Sequence, residues 1–296
     1  DSNPFFSRRI GIAKDLNGNN IQNKIIAGLR LSGKINNDFR VGLLNMLTEE
    51  DLENNIASNN NTVLALQHKV FNRSNISFLF INRESIKDYD FESENPYNRV
   101  IGIDYNLASS DSKWEGKYYF HKSITPNLNS DDISAGFRTN YNSRNLNFKV
   151  GALYIGDNFN SDLGYIKRKS IYKIDPRIGY TFWPENKKIL NYEFEIAPFI
   201  TWASDFNSLL SDYFIFTKWD INFKSGINFN ISLRNQYTYL FDEFDPTGIN
   251  NGNSLPANSD YYYNNYEIEF NNYFSSSKFT YRVEQNFGEF YNGNKT

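Results

Sequence analysis

The chain has 296 residues, a formal net charge of −3, no Cys, one Met and two His. That composition excludes a disulfide framework or thiolate metal site, counts against imidazole-based catalysis or ligation, and lacks the basic excess of a nucleic-acid binder. Aromatic residues reach 17%, with 26 Phe and 21 Tyr, yet mean hydropathy is −0.61 and no apolar run approaches the ~18 residues of a helical membrane span.

Strands of a membrane barrel hide their apolar face by alternation, so the test is parity. In chain order the sequence predicts strands at 4–12, 24–33, 38–47, 62–71, 74–83, 98–108, 113–122, 132–141, 145–155, 172–183, 188–202, 213–222, 226–239, 261–273 and 277–290. In 113–122, Trp114, Gly116, Tyr118 and Phe120 oppose Lys113, Glu115, Lys117 and His121. In 132–141, Ile133, Ala135, Phe137, Thr139 and Tyr141 oppose Asp132, Ser134, Gly136, Arg138 and Asn140. In 172–183, Tyr172, Ile174, Ile178, Tyr180 and Phe182 oppose Lys173, Asp175 and Arg177. In 188–202, Tyr192, Phe194, Ile196, Ile200 and Trp202 oppose Glu193 and Glu195. In 261–273, Tyr266, Ile268 and Phe270 oppose Glu267, Glu269 and Asn271.

Charges keep to one parity because a charge facing lipid at mid-depth costs roughly 2–4 kcal/mol. A soluble β-sandwich would also alternate, but its apolar face would be richer in Val, Ile and Leu. Connections between the segments alternate short and long without a break, the pattern of short periplasmic turns and long extracellular loops. Trp114, Trp183, Trp202 and Tyr239 stand at segment ends, where interfacial aromatic girdles lie. The expected fold is all-β: an antiparallel transmembrane β-barrel in the outer membrane of a Gram-negative bacterium. About 15 strands fall in this chain. Single-chain bacterial barrels have even strand numbers, so 16 or more are expected in the complete protein. Residues 1–296 are read as one barrel domain, incomplete at its C-terminus.

The segment Pro4-Phe5-Phe6-Ser7-Arg8-Arg9-Ile10-Gly11 resembles the opening of the barrel in an uncharacterised outer-membrane family. Ala27–Lys34, Val41–Leu44, Asn72-Arg73-Ser74, Asn98–Asp104 and Phe159-Asn160-Ser161-Asp162-Leu163-Gly164-Tyr165-Ile166-Lys167-Arg168 are similar to later blocks of it. The resemblance implies location and fold. It also implies a carbohydrate-binding-like domain that usually precedes the barrel and is not in this chain.

The inward parity carries both signs. Lys113, Lys117, Arg138, Lys149, Lys173, Arg177, Lys218, Arg234 and Arg282 mix with Glu115, Asp175, Glu193, Glu195, Asp220, Glu267, Glu269 and Glu284. These residues are expected to line the lumen. They form either a polar pathway for a hydrophilic solute or an ion-pair network filling a closed interior. Acidic loop segments (Glu49, Glu50, Asp51, Glu53; Glu84, Asp88, Asp90, Glu92, Glu94; Asp242, Glu243, Asp245) could hold Ca²⁺ through oxygen ligands or be solvated surface. No other cofactor is expected. Asp15, Asn17 and Asn19 fit three positions of a calcium loop, but Asn20 and Ile26 stand where Gly and Glu are needed. The segment is therefore read as a turn. Tyr261, Tyr262 and Tyr263, near Phe241 and Phe244, suit either sugar stacking or an interfacial girdle. Arg8 and Arg9 take adjacent parities of the first predicted strand. His121 faces inward with no Ser or carboxylate partner visible in sequence.

Transport of a hydrophilic solute such as a glycan is the first functional expectation. The alternative is a non-transporting structural barrel that anchors a periplasmic domain or joins a larger assembly. No catalytic residue is assigned, and an outer-membrane hydrolase is a third reading without a motif. Expected partners are outer-membrane lipid and lipopolysaccharide, a glycan, and other outer-membrane proteins, with no nucleic acid.

Overall fold

A computed structural model describes residues 2–92, 95–126, 130–185, 187–204, 209–246, 254–272, 279–290, 293 and 295. The fold is all-β. In chain order the strands are β1 (Ser2–Asn3), β2 (Ile12–Lys14), β3 (Asn20–Gln22), β4 (Ile25–Lys34), β5 (Phe39–Thr48), β6 (Asn59–Val70), β7 (Ser74–Ser85), β8 (Tyr97–Ala108), β9 (Trp114–Ile124) and β10 (Ile133–Asn142). They continue with β11 (Leu146–Ile155), β12 (Tyr165–Ile166), β13 (Ile171–Ile174), β14 (Arg177–Phe182), β15 (Ile189–Ala203), β16 (Leu209–Phe223), β17 (Ile227–Leu240), β18 (Ser259–Asn272) and β19 (Tyr281–Gly288).

One antiparallel sheet contains fifteen strands, ordered from β4 to β19, with β13 and β14 both lying between β11 and β15. Sequential neighbours pair throughout, as hairpins require. The predicted strand 172–183 is interrupted at Asp175-Pro176. Pro lacks the N–H that a ladder needs, so the strand breaks there.

The first predicted strand, 4–12, does not join the sheet. Ser7–Arg9 form a 3-10 turn, and Ile12–Lys14 fold back onto Asn20–Gln22 as a separate hairpin. Asp15 closes that hairpin. Its carboxylate accepts the backbone N–H groups of Asn17 (2.9 Å) and Asn19 (2.8 Å) and the Asn19 amide (3.1 Å), while Gly18 takes φ +82°. The Asn19 side-chain hydrogen bond, followed by its backbone N–H, holds the Asp15 carboxyl below the usual range. A carboxylate so engaged makes this an Asx-type turn.

Contacts divide the chain into two compact units, Asp1–Arg138 with Leu153–Ile171 and Thr139–Ala152 with Tyr172–Thr296. In the first unit, register aligns Val63, Ile81 and Val100 on one face. The other face aligns Leu64, Phe80 and Ile101. Onto the first face fold the N-terminal segment and the 156–170 connection. Together they make a core of Ile10, Val63, Ile81, Val100, Ile155, Phe159, Leu163 and Ile171. Polar groups anchor the packing. Phe6 N–H donates to Leu163 O at 2.7 Å, the Ser161 hydroxyl to Pro4 O at 2.6 Å and Asn98 Nδ2 to Asn160 O at 3.2 Å. Gly164 permits the approach, since a Cβ there would lie 2.6 Å from Asn3 O and 2.7 Å from Pro4 O.

In the second unit, β14 to β19 form long pairs that keep two parities. Phe194 lies opposite Trp219 and Tyr180, while Glu195 lies opposite Lys218 and Gly179. Short turns in each unit use local polar groups. The Asn36 amide oxygen accepts from Asp38 and Phe39 N–H, Gly226 takes φ +84°, and the Ser143 hydroxyl bridges Leu146.

Candidate functional site

The charged residues named from sequence occupy a single parity of their strands, and many meet in pairs. Lys149 reaches Asp175 at 2.8 Å, Arg177 reaches Glu195 at 3.1 Å, and Lys218 reaches Asp220 at 2.7 Å. Arg282 contacts Glu269 at 2.8 Å and Glu284 at 2.6 Å. It therefore joins two carboxylates that register places directly opposite one another, a like-charge arrangement that is destabilising without a bridging cation. Glu193 stands opposite Asp220 and Thr181, and Glu267 opposite Ser232 and Asn286. Glu115 and Arg138 hold the same parity on β9 and β10. Lys113 lies in the turn before β9 and pairs with Asp111 at 3.5 Å.

Lys117 and His121 converge on Asp104, a carboxylate that the sequence reading did not connect to them. Lys117 Nζ is 3.1 Å and His121 Nε2 is 2.8 Å from it. Register explains the convergence, because Asp104, Asn106 and Gly102 of β8 face Tyr119, Lys117 and His121 of β9. Gly102 is required there, since any Cβ would collide with the His121 ring. His121 is 2% exposed and its Nδ1 has no hydrogen-bond partner among the described residues. An imidazole oriented by a carboxylate is half of a catalytic arrangement. Among the described residues the hydrogen-bond partner of the ring is Asp104, which it shares with Lys117.

A second feature went unread in the sequence: an amide ladder across the same face. Asn222 donates to Asn191 (2.9 Å), Asn228 to Asn222 (3.0 Å) and Asn271 to Asn228 (3.1 Å). Asn230 and Asn271 then donate to Glu269 at 3.0 and 2.9 Å. Asn abundance was the signal, but the pairing needed the register.

A third feature lies in the second unit. Phe199, Phe214 and Phe216 sit on the charged parity, where neighbouring positions carry Glu, Lys and Asp. Phe199 and Phe214 stack at 4.8 Å and 6°. Lys173 lies 5.0 Å over Phe199, and Arg234 lies 5.7 Å from the centroids of both Phe214 and Phe216. The three phenylalanines and Arg234, with Lys149, Asp175 and Arg177, line a concavity of about 400 Å³.

Acidic side chains of the first two loops have local partners. Glu50 is held by Lys87 at 2.5 Å and accepts the Tyr89 hydroxyl at 2.7 Å. Asp51 caps its own turn through the N–H groups of Glu53 and Asn54, and Glu84 pairs with Arg99 at 3.3 Å. Among the described residues no three acidic or His side chains gather as metal ligands; Glu94 lies outside them. The three tyrosines also separate. Tyr262 lies against Tyr237 at 4.9 Å, whereas Tyr261 and Tyr263 take the other parity of β18. Arg9, placed on a turn instead of a strand, donates Nε to Gly164 O at 3.1 Å.

No family model, curated protein or solved structure matches the chain.

Proposed function

We propose that the chain is a transmembrane β-barrel of the Gram-negative outer membrane, that its charged parity faces the lumen, and that it takes up a hydrophilic solute. The observation that carries this reading is the partition of side chains between faces. One parity exposes Leu29 (62%), Ile103 (56%), Phe120 (51%), Phe194, Trp219 and Val283, all large and apolar. Each would forfeit roughly 25 cal/mol per Å² of apolar area left in water, and a patch of this extent on a soluble monomer is unusual. Lipid removes that penalty. The opposite parity carries ion pairs and amide ladders suited to an aqueous interior. Strands closed into a barrel satisfy their backbone groups between neighbours, as a spanning structure must.

On this reading the N-terminal segment and the 156–170 connection cover part of the lumen wall of the first unit. The barrel is then a partly plugged uptake component. A glycan is the solute we favour, since the face offers both hydrogen-bonding and aromatic groups. A second reading, a structural barrel that anchors a carbohydrate-binding-like domain or joins an outer-membrane complex, draws on the dense ion pairing of the same face. Single-channel recording in a planar bilayer separates them. Current steps that oligosaccharides block support uptake. A folded, inserted protein that stays silent even when residues 2–22 are deleted assigns the structural reading.

A further inference from the structure

We propose that the concavity on the charged face of the second unit is a binding site for an acidic saccharide, with Arg234 receiving the carboxylate. The inference rests on the uptake reading for its biological sense, but its chemistry stands on the site alone.

Arg234 differs from Arg177 and Arg282 on the same face of the second unit. Arg177 and Arg282 each contact a carboxylate. Arg234 has no ion pair among the described residues, and its guanidinium is laid between Phe214 and Phe216. A planar guanidinium held on aromatic faces keeps its N–H edge directed outward, which suits bidentate recognition of a carboxylate. It is also exposed, so a ligand can reach it.

The phenylalanines argue in the same direction. Phe199, Phe214 and Phe216 are half-buried and share the parity that carries Glu193, Glu195, Lys218 and Asp220 in β15 and β16. Apolar rings on a wet wall are unfavourable unless an apolar surface covers them. The C–H face of a pyranose is such a surface, and its hydroxyl edge needs donors and acceptors. The Lys149–Asp175 pair supplies both at the opposite rim. Pro176, at the break between β13 and β14, lines the concavity, and about 400 Å³ lies within the ordinary range for small-ligand pockets. A carboxylate, a flat apolar face and a hydroxylated edge together describe a uronic-acid sugar.

The test uses the whole chain, folded in detergent, with galacturonate and mannuronate disaccharides as probes and their methyl esters as uncharged controls. Calorimetric titration should show the acids binding at least roughly tenfold more tightly than the esters, the increment of one charge-assisted pair. Arg234→Gln should erase that difference, and Phe216→Leu should weaken acid and ester alike. Heat-modifiable gel mobility checks that each variant is folded. Folded wild-type protein that binds neither acid, or binds acid and ester equally, overturns the proposal; so does undiminished acid preference in Arg234→Gln. Binding without conductance would remove the uptake reading and leave the site. Conductance without binding would do the reverse.

Discussion

Arg9 Nε donates to the Gly164 carbonyl at 3.1 Å across 155 residues of sequence. The bond joins two of the segments that carry the family resemblance, Pro4–Gly11 and Phe159–Arg168. Neither is a strand of the large sheet. Their side chains form the inner packing of the first unit, so their patterns answer to each other.

That packing predicts a releasable segment. Ile10→Asp places a carboxylate in a site only 5% exposed, with a penalty of several kcal/mol if it stays ionised. Gly164→Ala collides with Asn3 and Pro4 carbonyls. Both variants should expose residues 2–22 to limited proteolysis while the sheet remains resistant. Phe159→Ala, at 0% exposure, should destabilise the unit by about 3–5 kcal/mol in a denaturant titration.

The two parities predict opposite responses to an added charge. Ile103→Arg should impair folding into lipid vesicles by about 2–4 kcal/mol. Thr181→Lys, on the other parity and opposite Glu193, should change folding by less than about 1 kcal/mol. Equal penalties would contradict the assignment of faces.

Asp104 holds Lys117 and His121 together. Asp104→Ala leaves a buried imidazole and an ammonium without their acceptor and should cost about 1–3 kcal/mol. Gly102→Ala should reproduce part of the loss, because it displaces the His121 ring. Chemical denaturation in detergent measures both.

Glu50 gives the pH dependence. Hydrogen bonds from Lys87 first and Tyr89 second hold its carboxyl below the usual glutamate range. A lowered folded-state pKa contributes stability that is full above the unfolded value, about 4.3, and is lost as pH falls through the folded one. Hydrogen exchange in the 49–58 and 86–92 loops should therefore rise as the medium is acidified through and below that range. Glu50→Gln should flatten the response.

Much of this architecture was legible in sequence, for a physical reason. Parity is enforced along every strand, so Tyr180, Phe194 and Ile268 separate from Arg177, Glu195 and Glu269 without knowledge of the partners. The sheet strands followed; the short-and-long alternation of connections holds from β4 to β13 but not beyond, where 204–208, expected long, is shorter than 183–188, expected short. Strand 4–12 was misread because Phe6, Ile10 and Ile12 share a parity and mimic an alternating run, while Phe5 and Ile10 pack against a connection about 150 residues away. Asp104–His121 and the asparagine ladder depend on register between strands, which single-strand periodicity does not contain. Phe199, Phe214 and Phe216 were unread because aromatic residues were assigned to the apolar face by type.

The face assignment is the center of the account, and the chain's lack of Cys makes it directly measurable. Single cysteines introduced in turn at 215 to 220 of β16, spin-labelled and reconstituted into lipid vesicles, report collisions with oxygen from lipid and with a water-soluble nickel complex. Positions 215, 217 and 219 should favour oxygen, and 216, 218 and 220 should not. Strong nickel collisions at both parities would mean that water wets both faces, and the transmembrane reading would fall.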